Sequence, residues 1–97
     1  MRIVRFTAAA EADLTEALDW YDAQSAGLGD RLLAELEAAK DRVAENPLQF
    51  PVIYKDCRRA LLRRFPYALF FRLRGDDLQV IACFHMRRNP RRWRSRL

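Results

Sequence analysis

The chain is poor in the residues that build metal and redox sites. It has two cysteines and one histidine in 97 residues. Cys57 and Cys83 both fall in apolar, strand-like segments. That reads as structural thiols of a reducing compartment rather than a disulfide framework. Without a Cys/His cluster the sequence speaks against a zinc site. Long apolar runs are missing as well. Nothing approaches the roughly 18 residues that suggest a membrane span, and Met1-Arg2-Ile3 leads straight into a strand-like segment, so no secretory leader is expected. Lysine is scarce: Lys40 and Lys55 are the only two, so the basic charge is almost all arginine. Repeats and low-complexity linkers are absent.

What is present is an ordinary globular composition, 51% hydrophobic and 32% charged, enough for one modest core and one domain over 1–97. Its charge is polarised. Residues 1–48 hold five Lys/Arg and ten Asp/Glu, and residues 49–97 hold thirteen and three, so net −5 and net +10 combine to +5. A solvated basic surface is the plain explanation. Because the arginines alternate with apolar residues, an anionic partner is the sharper one: nucleic acid or an acidic protein segment.

The chain is organised around 58–88, which reads as an antiparallel meander with strands at about 57–64, 67–73 and 78–85. Phe65-Pro66 breaks the first pair, since proline cannot donate to a ladder. Arg74-Gly75-Asp76-Asp77 breaks the second, with Gly75 supplying a positive φ. Two-residue closure at Phe65-Pro66 sets Leu62 opposite Leu69 and Ala60 opposite Phe71. Closure at Gly75 sets Phe71 opposite Val80 and Leu69 opposite Ala82. Side chains alternate faces along a strand. One face is then Ala60, Leu62, Leu69, Phe71, Leu73, Leu78, Val80, Ala82 and Phe84, wholly apolar and in need of a cover. The other, expected to be open, carries Arg59, Leu61, Arg63, Phe70, Arg72, Ile81, Cys83 and His85.

The cover is two amphipathic helices. Thr7 caps a helix over 8–24, with Ala10, Leu14, Ala17, Leu18 and Tyr21 on one side. Ser25 to Gly29 makes a tight link, and a second helix over about 29–45 carries a stripe of Leu32, Leu36, Ala39 and Val43. Asn46-Pro47 ends it. Residues 2–6 read as a strand, residues 48–54 as an irregular edge, and Pro90 can start a last short helix. The fold class is α+β: an N-terminal strand, then a helical hairpin packed on one face of a mostly antiparallel sheet, then a short C-terminal helix or tail.

Several signatures in this order resemble the RelE/ParE superfamily of type II toxin–antitoxin toxins, on its ParE-like, plasmid-stabilisation side. They are A-x-x-D-L at Ala10, Asp13 and Leu14 followed by Trp20-Tyr21; G-L-G at Gly27 to Gly29; and N-P-x-x-F-P at Asn46, Pro47, Phe50 and Pro51. R-R-x-L-L-x-R-F-P-Y follows from Arg58 to Tyr67, and H-x-x-R-x-P-x-x-W-x-x-R joins His85, Arg88, Pro90, Trp93 and Arg96. The resemblance covers essentially the whole chain. It implies a small cytoplasmic toxin without cofactor, neutralised by a cognate antitoxin that wraps it with an acidic, partly disordered segment in a hetero-oligomer. ParE-type members inhibit DNA gyrase by binding; RelE-type members cut mRNA on the ribosome.

Metal-free RNA cleavage needs a base, an acid and cations to hold phosphate. The candidates are His85 with Arg63, Arg72 and Arg88; the plain reading of His85 is a strand-end residue bonded to a backbone carbonyl. A second proton-transfer group is missing from the expected open face, because Tyr67 falls on the core side. A lysine cluster of the RelE kind is missing too. Binding without catalysis is the better-supported expectation. Its surface is Arg59, Leu61, Arg63, Phe70, Arg72, Ile81 and His85, extended by Arg88, Arg91, Arg92 and Trp93 in the tail, since arginine and aromatic anchors dominate protein contacts; Trp93 serves equally well to close the end of the core. A non-toxic basic adaptor domain is the third alternative, weakened by the acidity of both long helices.

Overall fold

A computed structural model describes residues 2–97. Strand β1 (Val4–Phe6) leads into helix α1 (Ala8–Gln24), then α2 (Leu28–Glu45) and a 3₁₀ turn at Pro47–Gln49. Strands β2 (Val52–Tyr54), β3 (Cys57–Leu61), β4 (Tyr67–Arg74) and β5 (Asp77–His85) follow, and a short helix α3 (Arg91–Arg94) closes the chain. The sheet order is β1-β5-β4-β3-β2. All neighbours are antiparallel except β1, which runs parallel to β5.

Local chemistry accounts for the element ends. The Thr7 hydroxyl accepts from the Ala10 N–H at 3.1 Å, as an N-cap should. Gly75 has φ +60° in the turn between β4 and β5, a region that L side chains avoid. Gly29 serves another need. Its N–H donates to the Asp22 carboxylate at 2.8 Å, and a Cβ there would lie 2.6 Å from that carboxylate. The close approach ties the end of α1 to the start of α2.

The helical hairpin covers one face of the sheet. Leu32, Leu36, Ala39 and Val43 of α2 and Ala10 and Ala17 of α1 pack on Ala60, Leu62, Leu69, Phe71, Leu78, Val80 and Cys83. Leu14, Leu18 and Tyr21 complete the packing while half-buried. Burial of aliphatic side chains at about 25 cal/mol per Å² drives this assembly.

The structure differs from the sequence-based register in two places. First, Ala60 stands opposite Leu69 and Leu61 opposite Ala68. The β3–β4 connection is the longer stretch 62–66, closed by the Leu62 N–H donating to the Tyr67 carbonyl at 2.9 Å. The shift is two residues, so it leaves every β3 side chain on its expected face. Second, Phe71 pairs with Val80 but Phe70 pairs with Ala82. Ile81 is thus an extra residue, a β-bulge, and beyond it the faces of β5 exchange. Cys83 joins the core under the helices, while Ala82 and Phe84 turn to the opposite side.

That opposite side is not open. The tail folds back over it and buries Trp93 against Phe70, rings stacked with centroids 4.4 Å apart. Cys57, Ala68, Phe70, Ile81, Ala82, Phe84 and Trp93 form a second core, flanked by Ile53, Tyr54 and Leu97. Arginines of the tail lie over its aromatic rings: Arg94 over Tyr54 at 4.4 Å, and Arg96 and Arg88 over Phe84 at 4.8 and 5.4 Å. Both cysteines are free and buried. Burial first, then the Asp13 carboxylate, pushes the Cys83 thiol up to about 12. Burial and then Asp56 push Cys57 up to about 11.

Candidate functional site

The bulge in β5 determines where the chemistry gathers. Because the faces exchange at Ile81, His85 stands on the helix side, directly opposite Tyr67. The two rings meet edge-on, centroids 5.4 Å apart. Tyr67 also meets Tyr21 at 5.9 Å, and Tyr21 meets Trp20 at 4.9 Å. Together with Glu16 and Arg88 these residues line a cleft of about 320 Å³ between α1 and the end of the sheet. Arg88 donates to the Glu16 carboxylate at 2.9 Å across the rim. Burial, and next the nearby Tyr21, raise the Tyr67 hydroxyl above its ordinary range; burial raises Tyr21 too.

Two sequence-based expectations about this region need correction. Tyr67 and His85 were placed on opposite faces, which left the histidine without a second proton-transfer group. The bulge puts them side by side. The plain expectation for His85, a ring bonded to a backbone carbonyl, also fails. Its Nδ1 accepts from the Arg87 N–H at 3.1 Å. With Nδ1 taken up by the backbone, Nε2 is the ring nitrogen left for a further partner.

The four residues named for nuclease chemistry do not converge. His85 and Arg88 line the cleft. Arg63 sits at the far end of the hairpin cover, beside Glu35, Arg42 and Arg64. There Glu35 accepts from the N–H groups of Arg63 and Arg64 at 3.0 and 2.8 Å, holding the 62–66 connection against α2. Arg72 lies on the other face of β4, bonded to Gln79 at 3.2 Å and 3.8 Å from Asp56. It stands about 17 Å along the strand from Tyr67, five residues at roughly 3.3 Å each.

The expected binding surface is likewise divided. Leu61, Arg63, Arg91 and Arg92 are exposed, and Arg59, Arg72, His85 and Arg88 are half-buried. Phe70, Ile81 and Trp93 are 5%, 2% and 5% exposed. Phe70 and Ile81 were expected as surface anchors; they are core, because the tail covers their face, and of the two roles open to Trp93 it takes the one that closes the core.

One arrangement gives meaning to two motif residues that had no assigned role. Arg96 pairs with the Asp13 carboxylate, Nη2 to Oδ1 at 3.0 Å. Asp13 also accepts from the Cys83 N–H at 3.1 Å, and Arg96 donates to the Ile81 carbonyl at 2.9 Å. The pair therefore takes up the backbone groups flanking the bulge, which would otherwise lack partners. Glu16, Trp20, Tyr67 and Glu35 were also missed as site residues. Trp20 and Tyr67 stood in motifs whose spatial meaning depends on the bulge and the hairpin; Glu16 and Glu35 stood in none and carried no sequence signal.

Among the described residues no group of three His, Cys, Asp or Glu is placed to hold a metal ion, and no helix is long and apolar enough to cross a membrane.

An edge strand parallel to β5, a helical hairpin over one face of the meander and a short tail helix over the other define a ParE-like α+β fold. The profile of the family described as "ParE toxin of type II toxin-antitoxin system, parDE" matches residues 4–90. The chain belongs to this family of type II toxin–antitoxin toxins. The protein named Toxin ParE2 of Mycobacterium tuberculosis is 30% identical over 81 residues, covering 82% of this chain and 77% of that one, in strains CDC 1551 and H37Rv alike. A solved structure described as the chromosomal ParDE TA system from P. aeruginosa superposes with a TM-score of 0.77 at 20% identity. It covers 88% of this chain and 96% of its own, and shares the fold.

Proposed function

We propose that this chain, as a single domain over 1–97, is a ParE-like toxin that inhibits DNA gyrase by binding and is neutralised by a cognate antitoxin in the bacterial cytoplasm. Membership of the ParE toxin family supports the reading. The observation that carries it is the scattering of the cationic groups that cleavage would need. His85 and Arg88 share the cleft, Arg63 belongs to the connection clamped by Glu35, and Arg72 is held by Gln79 and Asp56 on the other face. A phosphate at one of these places is out of reach of the others.

The antitoxin in this reading is an acidic, partly disordered segment. The groups that fit it are the exposed ones: Arg63, Arg91, Arg92 and Leu61. Such a segment folds as it binds and covers much surface for a short chain.

Induced expression without the antitoxin tests the function. SOS induction with filamentation and continuing translation is the expected result. Immediate loss of protein synthesis would instead support a RelE-like ribonuclease, for which the Tyr67–His85 contact beside Arg88 is the one favourable observation. Unaffected growth would support a non-toxic adaptor.

A further inference from the structure

A second cleft, of about 390 Å³, lies between α2 and the 62–66 connection. Arg42, Arg63 and Arg64 line it, with Glu35 and Ala38. Several arginines elsewhere have an acid in reach: Arg88 has Glu16, Arg96 has Asp13, and Arg72 and Arg74 share Asp56. These three do not. Among the described residues no carboxylate lies within ion-pair distance of Arg42, Arg63 or Arg64. Glu35 is the one acid lining the cleft. Its Oε1 is taken by the backbone N–H groups of Arg63 and Arg64 at 3.0 and 2.8 Å. Three positive charges and one negative leave the lining at net +2.

The arrangement is held by bonds that need no anion. Arg42 donates from Nη2 to the Leu61 carbonyl at 3.3 Å, and its own carbonyl accepts from the Gln49 side chain at 3.3 Å. Glu35 fixes the backbone from which Arg63 and Arg64 project. Like charges gathered around a concave site repel one another, and the walls of a cleft focus their field. A bound anion relieves that repulsion. Guanidinium groups fork onto pairs of oxyanion oxygens, so several of them suit an anion with several such pairs.

The lining narrows the guest. No aromatic ring lines the cleft, so nothing there stacks on a base. Ala38 is the only apolar side chain in the lining, so an apolar anchor finds little surface. One carboxylate of an acidic peptide brings a single charge, too little for three guanidinium groups. A diphosphate brings several charges on two adjacent clusters of oxygens. The volume is that of a small ligand site, at the low end of about 300 to 1,000 Å³.

We propose that this cleft binds a small polyanion of the diphosphate class, held by Arg42, Arg63 and Arg64. The site is separate from the aromatic cleft at Tyr67 and His85 and does not depend on the toxin's target.

The full chain is titrated calorimetrically with inorganic pyrophosphate, without divalent cations and with ionic strength held constant by sodium chloride. Orthophosphate, a hexaglutamate peptide and a short deoxythymidylate strand are compared. Pyrophosphate is expected to bind saturably at one site, to raise the Tm and to slow amide exchange at Arg63 and Arg64. The other three are expected to bind about tenfold more weakly or less tightly still. Arg64→Gln, an exposed change, is expected to weaken pyrophosphate about tenfold or more, and Arg42→Gln likewise. Arg2→Gln with Arg87→Gln removes two exposed arginines that do not line the cleft and is expected to leave the affinity unchanged. Melts confirm the fold of each variant; should Arg42→Gln fail to fold, Arg64→Gln decides. Absence of saturable binding overturns the proposal, as does an equal loss of affinity in the Arg2 and Arg87 variant. Orthophosphate binding as tightly as pyrophosphate overturns the diphosphate class. Equal or tighter binding of hexaglutamate or of the deoxythymidylate strand overturns it in favour of a docking surface for an acidic polymer.

Discussion

Asp13 and Arg96 meet across 83 residues of chain and together complete the edge of β5 where β1 ends. The carboxylate holds the Cys83 N–H, the guanidinium holds the Ile81 carbonyl, and the bulge between them turns His85 toward Tyr67. The helix hairpin, the sheet and the tail are joined at this one contact. Side chains of Arg96 and Asp13 are only 24% and 11% exposed, so loss of either partner strands a charge in a poorly solvated place.

Asp13→Ala is therefore expected to destabilise the fold by about 3 kcal/mol, in the range for breaking a largely buried pair. That corresponds to a Tm lowered by roughly 10–20 °C in a domain of this size. Arg96→Ala should cost nearly as much, and the double variant little more than either alone. Thermal melts of the four proteins in the cycle check this. Additive losses would mean that the two residues act separately.

Phe70→Ala bears on the second core. Phe70 was expected as a surface anchor. Its stacking on Trp93 makes it structural instead. The expected outcome is a loss of about 3 kcal/mol in denaturant unfolding, with Trp93 fluorescence shifted toward that of exposed indole. An unchanged midpoint would show that the tail is not seated on the sheet.

The cysteines give a pH dependence of definite sign. Their folded values, about 12 for Cys83 and about 11 for Cys57, lie above the ordinary thiol value of 9.0. A raised folded value means that the stabilisation is fully present below the unfolded pKa and is lost as pH rises through the folded one. Stability should thus fall from about pH 9 upward, through about pH 11 to 12. Cys83→Ala should flatten that fall. At pH 8 a thiol reagent should label the native chain slowly and the unfolded chain at once. Fast native labelling would contradict the burial of both thiols.

Glu35 holds the Arg63-Arg64 connection by two backbone hydrogen bonds at the surface. Glu35→Ala should cost about 1 kcal/mol, with amide exchange accelerated at Arg63 and Arg64 and nearly unchanged in β4. Unaltered exchange at both amides would mean that the connection is held by its own backbone.

Much of the fold was legible in the sequence because its signals are local. The cap at Thr7, the stripes of α1 and α2, the stop at Asn46-Pro47 and the turn at Gly75 are each written within a few residues. The faces of β3 survived a wrong loop length because the error was even. The site was less legible. The bulge at Ile81 leaves no mark in the alternation of 78–85, and the groups that sustain it, Asp13 and Arg96, come from opposite ends of the chain. One extra residue moved Cys83 and His85 to one side and Phe84 to the other. The arginine-rich tail read as an extension of the binding surface; laid over Phe84, Tyr54 and the buried Trp93, half of it is the cover of a second core.

His85→Ala should leave toxicity in cells mostly intact, since its Nδ1 is occupied by the Arg87 N–H and the arginines needed with it lie elsewhere. Colony counts under induction, alongside a melt that shows a native fold, check this. Abolished toxicity in a folded variant would move the chain toward the nuclease class.

The decisive measurement uses purified components. The chain is added to DNA gyrase with relaxed plasmid, and in parallel to a reconstituted translation reaction. Loss of supercoiling at stoichiometric toxin, with translation unaffected and gyrase activity restored by the cognate antitoxin, is the expected result. Unimpaired supercoiling together with cleaved mRNA and halted translation would contradict gyrase inhibition by binding.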